Sequence, residues 1–322
     1  MTEKVFRIAI LACLTGLFMN LGCVRPRGTI AILPRTTGTP LWETFHLGAS
    51  EVARLQDSAL YWNAPTDESD IEKQLSIFSA CEKRRMSGYI IAPDITISFR
   101  SPVQRLLEEK IPTVIVNDML GPEPGPYLSY VLNDESAGAE LAAQYVAQLL
   151  HGHGSIALMG QVTVREEGGE RSIDLERILA KSYPGIQIAS RNSDDTVVAH
   201  QQNIAQQILH NKVHIDAIIA FSSTSTRGAF YAELAEKSQH VPIIGYDQDL
   251  TLPLKNGYVR AVIVQDVRKI GQIAMSNIAL ELQGKPVAGY TLVPPMLLTR
   301  DNLAQYQSRY FADTESYSWG AQ

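Results

Sequence analysis

Cysteine is scarce in this chain, with only Cys13, Cys23 and Cys81 among 322 residues. A disulfide framework is therefore not what holds the fold, and stability must come from a hydrophobic core. Basic tracts are also missing. Lys and Arg number 28 against 34 Asp and Glu, a formal net charge of -6, so the chain offers no electrostatic footprint for nucleic acid. Several catalytic signatures are absent: no GxxxxGK followed by Ser or Thr, no HExxH, no paired-cysteine metal motif and no GxSxG elbow. These absences leave an enzyme little to stand on, and no cofactor or metal is expected. His151 and His153, with Gly152 between them, read as the end of a helix and not as metal ligands. Asp194-Asp195 reads as a solvated loop.

What is present begins at the N-terminus. Lys4 and Arg7 precede an apolar run from Ile8 to about Leu21, which ends in Gly22 and Cys23. A charged start, a short apolar stretch and small residues at its end are the layout of a signal peptide, and the run is short for a membrane span. The expected parts are a signal peptide over 1–22 and a polar tether over 23–27. Cys13 would leave with the signal, and Cys81, on a helical pattern with Ile71, Leu75 and Phe78, is expected in the core.

From Gly28 onward short apolar runs alternate with longer segments of helical period, the pattern of repeated βα units. Strands are predicted at 29–33, 59–62, 89–91, 113–116, 130–132, 155–159, 186–189, 217–220, 243–245 and 259–264. Helices are predicted at 42–55, 71–85, 103–109, 136–150, 172–182, 199–210, 227–236 and 267–283. The clearest is 136–150, where Ala137, Leu141, Tyr145 and Leu149 recur every four residues and Asp134 is placed to cap the start. Ten strands are too many for one simple sheet. Polar residues follow the apolar runs: Arg35-Thr36, Asn63, Asp94, Asn117-Asp118, Asn133-Asp134, Gln161, Ser222-Ser223, Asp247 and Gln265-Asp266. In a parallel sheet all of these fall at one edge, outside the carboxyl ends of the strands, where open α/β folds bind ligands.

At the same residues the sequence resembles the type I periplasmic binding proteins, in particular the ribose and galactose binding group. The resemblance is carried by TIAILPRTTGTPLW (29–42), SGYIIAPD (87–94), IPTVIVND (111–118), NDESAG (133–138), VPIIGYD (241–247), GYVRAVIVQD (257–266) and Ile270-Gly271. It implies an α/β fold of two similar Rossmann-like lobes, each a parallel sheet flanked by helices, joined by a three-strand hinge near Asn133, Gln265 and Val293. One lobe would comprise 28–133 with 266–293 and the other 134–265 with 294–308, leaving 309–322 as a tail of unassigned role. Gly22-Cys23 resembles the lipobox of bacterial lipoproteins, with Asn20 where that motif usually has Leu. Tethering through an acylated Cys23 stands beside ordinary cleavage or an uncleaved anchor.

The resemblance also implies a set of ligand contacts. Arg35 and Thr39 follow the first strand, and Trp42 takes the place of an aromatic against a sugar ring, although core packing is its plain alternative. Asn117 or Asp118 closes the fourth strand and Asn133 sits at the first crossover. Arg171, Ser222, Asp247 and Gln265 match polar contacts of the second lobe, while Tyr246 and Phe221 match an opposing aromatic wall. Such a set suits a pyranose, whose C–H faces pack on flat rings while its hydroxyls need planar two-atom partners. Ala92 stands where sugar binders of this group often place Asn. Arg35 and Arg171 leave the ligand's charge open, since guanidinium pairs bidentately with acids and also serves neutral sugars. The expected role is capture of a sugar or sugar-like ligand by a monomer that closes on it and meets an ABC-type permease. A membrane receptor or histidine kinase that reads the loaded state is the alternative partner.

Overall fold

The computed structural model describes residues 28–68, 70–161, 171–193, 197–211, 213–236, 241–246 and 251–311. The expected signal and Cys23, Asp194-Asp195, Asp247 and the end of the tail lie outside the described residues. Two six-stranded sheets organise the chain. The first contains β1 (Thr29–Leu33), β2 (Ala59–Trp62), β3 (Gly88–Ile91), β4 (Thr113–Val116), β5 (Leu128–Asn133) and β11 (Tyr290–Val293), in the order β11-β5-β4-β3-β1-β2. All its neighbours are parallel. The second contains β6 (Gly154–Gln161), β7 (Ile186–Ser193), β8 (Ala217–Ala220), β9 (Ile243–Gly245), β10 (Val259–Val264) and β12 (Met296–Thr299), in the order β12-β10-β9-β8-β6-β7. Only β12 runs antiparallel to its neighbour.

Helices α1 (Pro40–Leu55), α2 (Ile71–Lys83), α3 (Thr96–Glu108) and α9 (Val267–Leu282) cover the first sheet. With the second go α4 (Glu135–Leu149), α5 (Arg171–Ser182), α6 (Val198–Leu209), α7 (Ser223–Ala235), α8 (Thr251–Asn256) and α10 (Leu303–Phe311). Coverage on both faces explains the unbroken apolar strands TIAIL, GYII, TVIV and AIIA. In β1, Ile30 and Ile32 join Trp42, Phe45 and Met275 on one face, while Ala31 and Leu33 join Phe78, Cys81 and Phe99 on the other. Each such fully buried large side chain contributes roughly 1.5–3 kcal/mol. Edge strand β7 instead alternates partly buried with exposed positions after the buried Ile186, as a strand covered on one face does.

Three segments cross between the lobes. Asn133 ends β5 and leads through Asp134 into α4, and β10 leads through Gln265 and Asp266 into α9. Both crossings end in an aspartate N-cap: Asp134 Oδ1 accepts from the Ala137 N–H (2.9 Å) and Asp266 Oδ1 from that of Lys269 (3.1 Å). Pro294-Pro295 alone joins β11 to β12. Helix α9 returns from its crossing to lie against α1 with almost no gap. A side-chain carbon at Gly48 would collide with the Arg268 carbonyl, and one at Gly271 with that of Phe45.

The structure differs most from the sequence expectations in five elements. Strands β11 and β12 were not predicted, because each is four residues long and flanked by Gly or Pro. Helix α3 starts at Thr96, seven residues before the expected Val103, and carries Pro102 within it. A proline removes one helical hydrogen bond and signals a break, yet here it is buried on the packed face. Helices α8 and α10 were likewise unassigned. Cys81 is fully buried with its thiol pushed up to about 11, burial outweighing the opposing effect of Arg84. His151 and Gly152, both at positive φ, turn the chain after α4.

Candidate functional site

The carboxyl ends of both sheets face a cleft of about 370 Å³. From the first lobe Arg35, Thr39, Leu41, Trp42, Glu68 and Asn117 line it; from the second come Arg171, Ser222, Ser223, Tyr246, Ile263 and Gln265. Eight of these were expected from the sequence, and they come from loops after β1, β4, β8, β9 and β10 and from the starts of α1 and α5.

Local structure fixes each wall. Thr39 caps α1, accepting from the Trp42 N–H (3.4 Å), and Pro40 follows at the first helical position. The Trp42 indole donates to Glu68 Oε1 (3.4 Å) and meets Phe45 edge-on, with ring centroids 5.8 Å apart. At 1 % exposure it is at once a wall of the cleft and part of the core. Asn117 has φ +71, a conformation that Asn tolerates better than most residues. Buried Gln74 ties the neighbouring loops together. Its amide donates to the Pro34 and Ala92 carbonyls (3.0 and 2.8 Å), and its oxygen accepts from the Asp94 N–H (3.1 Å).

The second lobe uses a hydroxyl for the same purpose. Thr226 donates to the Ser222 carbonyl (2.7 Å) and accepts from the Tyr246 N–H (3.1 Å), joining the ends of β8 and β9. Ser222 caps α7 in a reciprocal arrangement with Ser225. Gly245 is required beside them, because any side chain there would strike Thr226.

Both cleft arginines are already engaged. Arg35 pairs with Asp118 and donates to the Pro93 carbonyl (3.1 Å). Arg171 grips Glu135 through two nitrogens, donates to the Phe221 carbonyl (2.9 Å), and lies 4.8 Å from the centroid of the Tyr246 ring. Burial opposes the Arg171 charge, but Glu135, with help from Tyr246 and Asp118, holds it protonated more firmly than usual. Burial raises the Tyr246 phenol well above its ordinary range, the partial relief from Arg171 notwithstanding. Asp94, at the end of β3, is pushed up to about 6 by burial; Arg35 lowers it, while Glu68 and Asp67 raise it.

Several buried polar atoms around the cleft have no hydrogen-bond partner among the described residues: Asp94 Oδ2, Asn133 Oδ1 and the Tyr246 hydroxyl. A buried polar group without a partner costs about 1–3 kcal/mol, so a hydroxyl-rich ligand able to reach such groups would relieve that cost.

Some expected residues stand off the cleft wall. Asp118 sits beside it, bonded to Arg35, and Asn133 lies at the hinge. Phe221 lies one layer behind, packed 5.9 Å from Tyr246, and serves Arg171 through its carbonyl in place of a ring face. Asp247 and Cys23 lie outside the described residues. Leu41, Glu68, Ile263 and Glu135 were not singled out from the sequence, and Asp94 and Ser223 were named there only in the polar rim and not as ligand contacts. Asp94 had a signal, since it follows an apolar strand in the polar rim. Glu135 had none beyond its place in a first helical turn, where acids are common.

The family description for the periplasmic binding protein domain matches residues 30–286. The chain belongs to this family. Among its relatives, the ribose import binding protein of Haemophilus influenzae is 24% identical over 285 residues, covering 86% of this chain and 92% of that protein. The fold of this periplasmic binding protein is shared with an arabinose binding protein from Geobacillus stearothermophilus (TM-score 0.80, 17% identity, 86% and 98% of the two chains). It is also shared with an ABC transporter solute binding protein from Actinobacillus succinogenes, solved with bound D-allose (TM-score 0.75, 22% identity, 86% and 99%).

Proposed function

We propose that this protein captures a small sugar or sugar-like ligand outside the cytoplasm by hinge closure and presents it to an ABC-type membrane permease. The observation that carries this reading is the composition of the cleft. Aromatic residues Trp42 and Tyr246 and the planar polar groups of Arg35, Asn117, Arg171 and Gln265 come from both lobes and line one space. C–H faces pack on the rings and hydroxyls take the polar heads, as a buried polyol requires. A ribose import binding protein and an arabinose binding protein among the similar proteins, and one solved with D-allose bound, support the ligand class.

The ligand bridges residues 28–133 with 266–293 on one side and 134–265 with 294–308 on the other. It makes contacts available in full only when the lobes meet, and so shifts the population toward the closed form. The protein itself performs no chemistry. Export follows from the signal over 1–22, and the Gly22-Cys23 junction makes Cys23 the tethering residue.

A thermal-shift panel of D-ribose, L-arabinose, D-allose and D-galactose, together with sugar acids and sugar phosphates, tests the reading, because a ligand that binds only the folded state raises Tm. At least one sugar is expected to raise Tm in the wild type and to lose that effect in Trp42→Ala. A flat response across neutral sugars, sugar acids and sugar phosphates would sink the sugar assignment.

A further inference from the structure

We propose that Glu135 is the residue that sets which ligand charge the cleft accepts, by positioning Arg171 and neutralising it so that the site takes an uncharged polyol and turns away a sugar acid. This rests on the sugar-binding reading above and specifies the ligand class of that same site.

The argument starts from the donors of Arg171. A guanidinium has five N–H groups in a planar fork. Nε and Nη2 donate to the two carboxylate oxygens of Glu135, and Nη1 to the Phe221 carbonyl. Two N–H groups remain, one on each terminal nitrogen, and the Nε–Nη2 edge is occupied by Glu135, whose charge offsets that of the guanidinium. The plane is held over the Tyr246 ring, so the remaining donors have a fixed direction. With side-chain exposures of 24% and 18%, the pair is screened from water far more than a surface ion pair.

The opposite wall repeats the arrangement, with Arg35 paired to Asp118. In and around the cleft, two guanidinium groups therefore face four described carboxyl groups: Glu68, Asp94, Asp118 and Glu135. Among the described residues, a ligand carboxylate would meet at the cleft no arginine without a carboxylate partner, so its charge would not be offset by net positive charge. A hydroxyl needs only the donors that remain. Glu135 stands in the first turn of α4, directly after the Asn133-Asp134 crossing, so it fixes Arg171 to the hinge end of the second lobe. It does not line the cleft and acts through Arg171.

The test is calorimetric titration of wild type, Glu135→Gln and Glu135→Asp with matched pairs: D-galactose and D-galacturonate, D-glucose and D-glucuronate, D-ribose and D-ribonate. Wild type is expected to bind at least one neutral sugar ten-fold or more tightly than its acid. Glu135→Gln should reduce that ratio at least ten-fold by gaining acid affinity, with the gain falling as salt rises, and Glu135→Asp should restore most of the preference. Asp118→Asn, which frees Arg35, supplies a second readout in the same direction should Glu135→Gln fail to fold. A wild type that prefers the acid, or a folded Glu135→Gln that loses sugar affinity without gaining acid affinity, overturns the inference while leaving the sugar reading intact. A wild type that binds none of the six overturns both.

Discussion

The two lobes build similar cleft walls from different fastenings. On the first, an amide does the joining: Gln74 is buried and holds three partners, two carbonyls and one N–H, around the ends of β1 and β3. On the second, a hydroxyl does it, as Thr226 links Ser222 to Tyr246 around the ends of β8 and β9. The arginines differ as well. Arg35 is held by one carboxylate and one carbonyl, with three N–H groups to spare, whereas Arg171 has a bidentate carboxylate, a carbonyl and an aromatic face. The first wall is thus adaptable and the second preorganised. Under the proposed function, the rigid second wall orients the ligand before closure and the first adjusts to it as the hinge closes.

That contrast can be broken by substitution. Arg171→Ala is expected to weaken sugar binding by about 100-fold or more, since it removes two donors and leaves Glu135 partly buried and unpaired, a loss of about 3–5 kcal/mol in stability. Arg35→Ala should cost nearer ten-fold, because Asp118 is left in a more open position. Titrating both with the same sugar decides the matter, and equal losses would remove the distinction. Next in size is the pair of fasteners. Gln74→Leu strands two carbonyls and one N–H and should cost about 2–4 kcal/mol, against about 1–2 for Thr226→Val, measured by urea unfolding.

The smallest effect is one of pH, and the lobes respond in opposite directions. Glu281, at the end of α9, has both carboxyl oxygens buried with no partner among the described residues and is pushed up to about 7 by burial. Its folded state binds the proton more tightly than the unfolded chain does. The stability it contributes is therefore complete below about pH 4.5 and is lost as pH rises through 7. Glu281→Gln should accordingly stabilise the protein at pH 8 by about 1–2 kcal/mol after allowance for solvent screening, and by almost nothing at pH 4. Glu176 in the second lobe is lowered, chiefly by its hydrogen bonds from Arg191 and against the effect of burial. Its contribution is present above the ordinary carboxylate range and fades as pH falls, and as a surface pair it is worth no more than about 0.5 kcal/mol. Unfolding curves of Glu281→Gln and Glu176→Gln at pH 4 and pH 8 separate the two.

Much of the fold was legible because its strands are buried on both faces. The apolar run of β1 is bounded by Gly28 and Pro34, and the structure places the strand over the same five residues as the sequence does. Legibility failed where that logic lapses. Strand β11 exposes Tyr290 and Leu292, and α3 runs through Pro102 because tertiary packing outweighs the lost hydrogen bond. The site divides along the same line. Residues that follow a strand directly, such as Arg35, Asn117, Ser222 and Gln265, are marked by the change from apolar to polar. Glu68 lies in a loop away from any strand end, and Glu135 in a helical turn where an acid needs no explanation. What sets them apart is a partner distant in sequence: Trp42 for Glu68, 26 residues away, and Arg171 for Glu135, 36 residues away.

The most direct test of the central claim is a titration of the sugar that gives the largest thermal shift into wild type, Trp42→Ala and Tyr246→Ala. The account predicts one sugar bound per chain in the wild type, and affinity reduced ten-fold or more by either substitution, because the ligand needs both lobes at once. Binding that survives intact when either wall is removed would contradict closure around a bridging ligand.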